Sequence, residues 1–299
     1  MSSMARKIPS FFIIGAQKAG TSWLWRMLDQ HPGTSLPEKK EIHYFGSSEI
    51  YAKGGEWYYS HFDKLDPNKV IGEASTTYFY DRMPYWYNES VQIEYDDSLP
   101  LIPKLITDEF PDMKFIVVLR DPVHRAISAY AHWMKKGNLP PSLGLKKLAI
   151  EQAKTRILEY GFYARYLNVW KRYVPSDRLR VIIFEDQIKK NWNQTLMDTY
   201  EYLGLDPGFQ AGLPNRPVHK SWGWTRIVCH YYARRFGMNI CSSRAGGALD
   251  RFDILAGRAI NAEDIEFLRS VYLPQKEEIS LLTGNSLSCW DYGEGLLRL

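Results

Sequence analysis

This sequence has few cysteines, no long apolar run and a small net charge, and each of these features excludes a class of protein. The 299 residues include three cysteines, Cys229, Cys241 and Cys289, and no spacing among them suits zinc. So low a cysteine content indicates a reducing compartment, and we therefore infer no disulfide.

Apolar runs are short throughout the chain. None approaches the roughly 20 apolar residues that a helix needs to cross a bilayer. The first run begins at Ile8 and leads directly into a glycine-containing loop, which leaves no room for a cleavable signal. We therefore expect a cytoplasmic protein with no membrane partner.

The net charge is +4, a small excess of 38 Lys and Arg over 34 Asp and Glu. Any anion binding must then come from local clusters of charge, and no nucleic-acid partner is expected. Apolar residues make up 45% of the chain, which is enough for one sizeable core. No internal repeat or flexible linker is apparent, so we predict a single domain over residues 1–299.

Short apolar runs that lead into segments of helical spacing determine the predicted fold. Four runs are predicted to be buried strands: residues 10–15, 70–74, 114–119 and 179–184. Helical spacing follows at residues 122–135 and 193–203, and this alternation is typical of βαβ units. The prediction is an α/β protein with a parallel sheet flanked by helices and a ligand at the carboxyl ends of the strands.

Two long segments lack a regular period. Residues 78–103 are rich in aromatic side chains, and we interpret them as an ordered loop or lid. Residues 207–257 are irregular around one basic, aromatic helix, GWTRIVCHYYARRFG, and amphipathic spacing returns at residues 261–283. We expect the two irregular segments to shape a substrate pocket.

The sequence GAQKAGTS, residues 15–22, joins the first predicted strand to a predicted helix. Backbone N–H groups at such a junction form a nest for anionic oxygens, and Thr21 and Ser22 add hydroxyl donors. The stretch nearly matches the Walker A loop GxxxxGK[ST], but Thr21 replaces the lysine and Lys18 lies inside the loop. An ordinary strand-to-helix turn with a surface lysine remains the alternative.

A second motif, RDPVHRAISAY, follows the strand at 114–119. A nucleotide triphosphatase would need the Walker lysine and a carboxylate at a strand end to hold magnesium. This strand instead ends in Arg120, which suits an anion better. Pro122 is predicted to begin a helix, so Arg120 and Ser128 could converge on one phosphate. An Arg120–Asp121 pair remains the alternative.

The two motifs resemble those of sulfotransferases that use 3′-phosphoadenosine 5′-phosphosulfate (PAPS). In that family a QKAGT[ST] loop holds the 5′-phosphosulfate, and RDPxxRxxSxY binds the 3′-phosphate through its Arg and Ser. Further similar segments cover most of the chain: KEIHYF (40–45), GEASTTYFY (72–80), YGFYARYLNVW (160–170), FED (184–186) and LTGNSLSCW (282–290). The acidic residue in KEIHYF makes the sequence more similar to the glycan N- and O-sulfotransferases and their bacterial relatives than to the phenol and steroid branch.

The resemblance implies the sulfotransferase fold, PAPS as donor, adenosine 3′,5′-bisphosphate as product and no metal requirement. It also implies a donor site formed by Lys18, Ala19, Gly20, Thr21, Ser22, Trp23, Arg120, Ser128 and Tyr163. Among these, Trp23 and Tyr163 correspond to residues that contact the adenine. Plain core packing remains the alternative for both.

The implied reaction is in-line attack of an acceptor hydroxyl or amine on sulfur, with Lys18 stabilising the leaving phosphate. Glu41 is the expected base, with His43 supporting it or contacting substrate. If EIHYF is extended, these two side chains project from one face. A surface glutamate beside a packed histidine is the alternative.

The expected acceptor is a carbohydrate or a small natural product, because aromatic residues with few charges suit a sugar face or a polycyclic compound. The residues expected to contact it are Tyr78, Tyr80 and Trp86. The sequence does not indicate the oligomeric state.

The sequence departs from the family pattern at two places. Ala74 stands where several glycan enzymes have a lysine, and the basic loop that closes over the 3′-phosphate has no clean copy here. Arg216, Lys220 and Arg244 are the candidates for that contact. Two competing functions stay open: a P-loop kinase or nucleotidase, and a catalytically inactive nucleotide-binding protein.

Overall fold

The computed structural model describes residues 7–83, 98–136, 140–151, 155–213, 223–236 and 260–297. Contacts within the chain group it into two compact units. The first unit takes the chain up to Arg120, together with Tyr163–Asn215 and Glu277–Trp290; the second takes Asp121–Phe162, Arg216–Lys276 and the chain from Asp291 onward. The single domain expected from the sequence stays a prediction.

Five strands form one parallel sheet in the first unit. They are β1 (Phe11–Gly15), β2 (Thr34–Ser35), β3 (Val70–Ala74), β4 (Lys114–Leu119) and β5 (Leu179–Ile183), in the order β2-β3-β1-β4-β5. Each neighbouring pair is parallel. The four predicted strands are confirmed to within one residue. Among the strands of the described residues, the two-residue β2, too short to show a period, was not predicted.

Helices flank the sheet and build the second unit. In chain order they are α1 (Thr21–Asp29), α2 (Ser48–Tyr51), α3 (Gly54–Tyr59), α4 (Ile102–Glu109), α5 (Pro122–Lys135), α6 (Leu145–Glu151), α7 (Tyr163–Tyr173), α8 (Trp192–Leu203), α9 (Trp224–Arg235), α10 (Ala262–Tyr272), α11 (Lys276–Thr283) and α12 (Glu294–Leu297). Within the described ranges, no helix has the length and apolar character needed to cross a membrane.

The core of the first unit is an aromatic cluster around the central strand β1. All five residues of β1 are buried. The Phe12 ring lies 5.5 Å from Tyr78, 5.8 Å from Phe110 and 6.3 Å from both Phe45 and Phe115. Tilted and edge-on rings at these distances pack favourably. This cluster supports β1 and β3, whose carboxyl ends carry the residues described below.

The second unit is organised around α5. Asp121 caps this helix by accepting hydrogen bonds from the amides of Val123 and His124, and Pro122 occupies the first turn. Tyr130 stacks on Trp224 of α9, with ring centroids 5.4 Å apart. The helix predicted at 122–135 is confirmed, as is the basic, aromatic helix, now α9.

The irregular segments of the sequence are described only in part. Of the predicted loop or lid at 78–103, residues 84–97 lie outside the described residues, and Ile102 already begins α4. Of residues 207–257, positions 214–222 and 237–257 also lie outside them.

Candidate active site

The glycine-containing loop joins β1 to α1, as predicted. Gly20 has φ 105°, and a Cβ placed there would come within 2.7 Å of the Phe184 ring. Glycine is therefore required for both its conformation and its size. Because the backbone enters α1 at Gly20, the amides and hydroxyls of Thr21 and Ser22 stand at the positive end of the helix dipole.

Arg120, which follows β4, is attached to this loop. Its Nη1 donates to the Lys18 carbonyl over 3.4 Å, and its guanidinium lies over the Phe184 ring. Its Nε lies 3.8 Å from Oε1 of Glu185, whose Oε2 accepts a hydrogen bond from the Trp290 indole. The guanidinium of Arg120 is thus held next to the loop that follows β1, with Phe184 and Glu185, which follow β5, beside it.

The carboxylate of Asp121, the alternative partner considered for Arg120, forms hydrogen bonds within the second unit. Asp121 Oδ1 accepts from the first amides of α5, and its Oδ2 accepts from the Tyr292 amide over 2.7 Å. Burial raises the pKa of Asp121, and this effect exceeds the lowering by His124 and the three backbone hydrogen bonds. Both oxygens of this carboxylate therefore serve the fold of the second unit.

Asp121, His124 and Asp291 of the second unit do bring three ligand atoms within 4.8 Å of one another. His124 Nε2 lies 3.0 Å from Oδ1 of Asp291. Backbone amides explain why the two carboxylates lie here, since both accept hydrogen bonds from them, Asp291 Oδ1 from the Gly293 amide. Acidic clusters at helix ends commonly form such caps, and the expectation of no metal stays a prediction.

The segment carrying Glu41 and His43 is not extended. An extended segment, the condition under which we expected these side chains to share a face, is therefore not present. Both residues have a left-handed backbone, with φ 67° and 62°, and residues 44–46 form a 3-10 turn. Ile42 between them is fully buried. The side chains nevertheless meet: Oε2 of Glu41 lies 3.6 Å from Nε2 of His43.

Hydrogen bonds to the last residue of β3 and to the chain that follows it impose this conformation. The Glu41 amide donates to the Ala74 carbonyl over 2.8 Å, and the His43 amide donates to the Ser75 hydroxyl over 3.0 Å. The amide and hydroxyl of Thr76 both donate to Oε2 of Glu41. The two segments are thereby fixed to each other at the carboxyl end of β3.

Glu41 is ionised at neutral pH. Burial acts to raise its pKa, but Lys40, His43 and the Thr76 hydrogen bond together outweigh burial and hold the pKa below its usual value. Lys40 donates to its Oε1. With its side chain 28% exposed, the carboxylate is both unprotonated and accessible, as a general base must be.

The remaining predicted residues differ in burial and in the elements that carry them. Trp23, on α1, is half-buried, and Tyr163 is fully buried at the start of α7 with its ring 6.2 Å from Phe79. Ser128 is half-buried on α5 of the second unit. Ala19 is buried within the loop.

Of the residues predicted to contact the acceptor, Tyr78 and Tyr80 are buried. The Tyr78 hydroxyl donates to the buried carboxylate of Glu73, a position that favours a packing role. Four predicted residues lie outside the described residues: Trp86, Arg216, Lys220 and Arg244.

Several residues of the site were not predicted as part of it. Lys40 directly precedes the base candidate and lay within the quoted KEIHYF motif. Its positive charge next to Glu41 could therefore have indicated that it contacts that carboxylate. Ser75 and Thr76 lay within GEASTTYFY, but only the folded chain reveals their contact with residues 41–43. Glu185 lies two residues after β5. It belongs to the quoted FED segment, so its charge near the end of an apolar strand could have indicated a role in the site.

Residues 9–210 match the family model described as "Sulfotransferase family". The chain belongs to this family. The matched residues make up about two thirds of the chain and include the loop, the RDPVHRAISAY motif and Glu41. The general class of enzyme is therefore a sulfotransferase, as the sequence predicted.

The chain is similar to several named sulfotransferases. The membrane-associated sulfotransferase kil1 of Dictyostelium discoideum is 38% identical over 45% of this chain and 26% of its own length. The human bifunctional heparan sulfate N-deacetylase/N-sulfotransferase 2 is 28% identical over 67% of this chain and 22% of its own length. The mouse heparan sulfate glucosamine 3-O-sulfotransferase 3B1 is 26% identical over 96% of this chain and 66% of its own length. The chain thus spans about a quarter of the first two relatives.

A solved structure has the same fold. The crystal structure of a sulfotransferase from Alicyclobacillus acidocaldarius matches with a TM-score of 0.66 and 21% identity, over 95% of this chain and 98% of that chain. This likeness confirms the predicted α/β fold with a parallel sheet flanked by helices.

Proposed function

We propose that this sulfotransferase moves the sulfuryl group of PAPS to a hydroxyl or amine of a carbohydrate or small natural-product acceptor. The observation that carries the proposal is the contact between Arg120 Nη1 and the Lys18 carbonyl, 3.4 Å apart. It joins the two anion-binding motifs, so that positive charge from both is available to a donor with two separate phosphate groups.

The hydrogen-bonding side chains of the two motifs fit a ligand with phosphate groups. Lys18, Thr21, Ser22 and Arg120 offer ammonium, hydroxyl and guanidinium donors, and Gly20 leaves the space that a Cβ would fill. The carboxylate that follows β4 is occupied in capping α5, which disfavours the magnesium chemistry of a kinase or nucleotidase. When bound, PAPS supplies an activated sulfuryl group on a phosphate leaving group.

The chain's own residues would then position the donor and neutralise the charge of its phosphate groups. Lys18 would hold the phosphosulfate and stabilise negative charge on the leaving phosphate. Arg120 would hold the 3′-phosphate, and Trp23 and Tyr163 would contact the adenine. Binding of this kind needs no metal ion, because positioning and charge neutralisation suffice.

Glu41 acts as the general base. Each carboxylate oxygen has two lone pairs, and Oε1 accepts from Lys40 while Oε2 accepts from Thr76. Oε1 therefore keeps acceptor capacity for the proton of an incoming hydroxyl or amine. His43, held by its contact with the Thr77 hydroxyl, supports that carboxylate.

A carbohydrate acceptor is favoured over a small natural product. Two of the similar sulfotransferases are named for heparan sulfate, and one of them aligns with 96% of this chain. For the location, the three cysteines support a reducing compartment, and we propose the cytoplasm.

The test is donor turnover with a panel of acceptors. The full chain is incubated with PAPS and amino sugars, glucosamine-containing oligosaccharides or polycyclic alcohols, and adenosine 3′,5′-bisphosphate formation is measured without metal. We expect product only when a suitable acceptor is present. Acceptor-dependent consumption of ATP with magnesium, and none of PAPS, would establish the kinase alternative instead.

A further inference from the structure

A second carboxylate lies buried next to the proposed base. Glu73, on β3, is 0% exposed and pairs in register with Phe12 of β1. The rings of Tyr58 and Tyr78 reach it, and both pack against Phe45. Among the residues that the structure describes, Glu73 forms no ion pair with a Lys or Arg. An anion buried in this way is costly, so a role beyond packing is expected.

Three hydroxyl groups donate to this carboxylate. Tyr58 donates to Oε2, and Ser75 and Tyr78 donate to Oε1, each over 2.7 Å. Burial raises the pKa of Glu73 to about 7, although the hydrogen bonds from these hydroxyls act to lower it. All three donors favour the ionised form.

Ser75 connects this carboxylate to the active site. Because its hydroxyl proton points to Glu73, its oxygen is left to accept from the His43 amide, which it does over 3.0 Å. That amide belongs to the left-handed turn that carries Glu41 and His43. A neighbouring bond, from the Glu41 amide to the Ala74 carbonyl, needs no side chain and does not depend on Glu73.

We propose that Glu73 is a positioning residue of the active site, which orients the Ser75 hydroxyl and thereby fixes the turn that presents Glu41 and His43. The inference deepens the proposed function, because it rests on Glu41 as the base. Glu73 touches neither donor nor acceptor in this account. It acts through Ser75.

Several titratable groups of the described residues face Glu73 or Glu41. Tyr58 of α3, Tyr78 and Glu41 face Glu73, and the negative charge of Glu41 acts to raise the pKa of Glu73. Lys40 and His43 face Glu41. By reciprocity, protonation of Glu73 near neutral pH changes the field at Glu41, and it also removes the requirement that Ser75 donate toward Glu73.

Hydrogen exchange at single amides tests the connection without any acceptor. In Glu73→Gln the new side-chain amide brings two N–H donors to a place where three hydroxyls already donate, so Ser75 is no longer held in one orientation. In Ser75→Ala the link is removed outright. We expect the His43 amide to exchange at least tenfold faster in both variants, while the Glu41 amide changes much less.

The matched control is Phe110→Leu. This substitution removes ring volume from the same aromatic core, near Phe12 and Tyr58, and leaves the three donors to Glu73 in place. It lowers thermal stability without touching the link. We expect its His43 amide to keep the wild-type exchange rate.

Kinetics supply the second readout. With the acceptor found for the wild-type enzyme, Glu73→Gln and Ser75→Ala should lower kcat at least tenfold and leave the KM for PAPS within twofold. The acid limb of the wild-type kcat near pH 7 should be absent in Glu73→Gln. Phe110→Leu should change neither kcat nor the pH profile by more than twofold.

The outcomes separate the two claims. His43 exchange that is unchanged in Glu73→Gln and Ser75→Ala, or that rises equally in Phe110→Leu, overturns the positioning role. A wild-type chain that transfers no sulfuryl group from PAPS defeats the proposed function, while the exchange result still decides the role of Glu73.

Discussion

Oε2 of Glu41 lies 3.6 Å from Nε2 of His43 although the backbone is left-handed at both residues. Two positions of this kind, one on each side of the buried Ile42, are unfavourable for L-residues and persist only where the surroundings impose them. Here the end of β3 and the residue after it impose them, by accepting hydrogen bonds from both amides. The geometry of the proposed base is thus a property of two segments about 30 residues apart in sequence.

Glu41→Gln should abolish most turnover without loss of donor binding. The substitution keeps the size of the side chain and removes the proton acceptor, so we expect kcat to fall by about 10² to 10⁴. Single-turnover transfer and titration with adenosine 3′,5′-bisphosphate measure the two effects separately. Glu38→Gln, an exposed glutamate three residues earlier, is the control and should retain wild-type kcat. Full activity in Glu41→Gln would refute the assignment of the base.

Lys18→Ala should damage turnover more than stability. Lys18 has φ 66°, and alanine in its place carries a Cβ in the same conformation, so the backbone cost of folding is unchanged. Loss of one preorganised charge at the leaving group is expected to lower kcat by about 10² to 10³. Steady-state kinetics and thermal unfolding are compared with those of Lys64→Ala, an exposed lysine. An unchanged kcat would remove Lys18 from the mechanism.

Gly20→Ala should weaken donor binding as well as the fold. At φ 105° an alanine costs about 1–2 kcal/mol, and its Cβ would also displace the Phe184 ring. Gly204→Ala is the matched control, because Gly204 has φ 76° but open space around a Cβ. We expect Gly20→Ala to be the less stable variant in denaturant unfolding and to bind adenosine 3′,5′-bisphosphate at least tenfold more weakly. Equal stability and equal binding in the two variants would show that the loop is not closely packed.

The buried carboxylate of Glu73 predicts a pH dependence of stability. Burial raises its folded pKa from 4.5 to about 7, so its stabilising contribution is fully present below pH 4.5 and is lost as the pH rises through 7. At about 1.4 kcal/mol for each pKa unit, the loss is on the order of 3 kcal/mol. Denaturant unfolding of wild type and Glu73→Gln between pH 4 and 8 measures it.

The expected result is a free energy of unfolding that shifts in favour of Glu73→Gln as the pH rises. A difference between the two proteins that stays constant over this range would mean that Glu73 titrates normally. Glu38→Gln, whose carboxylate is exposed, should show no such trend.

The four longer strands could be predicted from the sequence, because buried parallel strands appear as short continuous apolar runs. The same runs place the GAQKAGTS loop and the RDPVHRAISAY motif directly after strands. β2 could not, since two residues show no period. The conformation of residues 41–43 could not be predicted either, because hydrogen bonds from a distant segment decide it. Likewise the connection from Tyr58 through Glu73 and Ser75 to His43 joins three segments that no local pattern relates.

Thermal unfolding without magnesium, in the presence of adenosine 3′,5′-bisphosphate or of ATP, tests the central claim most directly. A ligand at 100 times its Kd stabilises the folded state by about 2.7 kcal/mol, because it binds only that state. We predict a rise in Tm of about 5 °C or more with the bisphosphate, at about 2–4 °C for each kcal/mol, and little change with ATP. A rise with ATP alone, increased by magnesium, would contradict the PAPS site and favour a kinase.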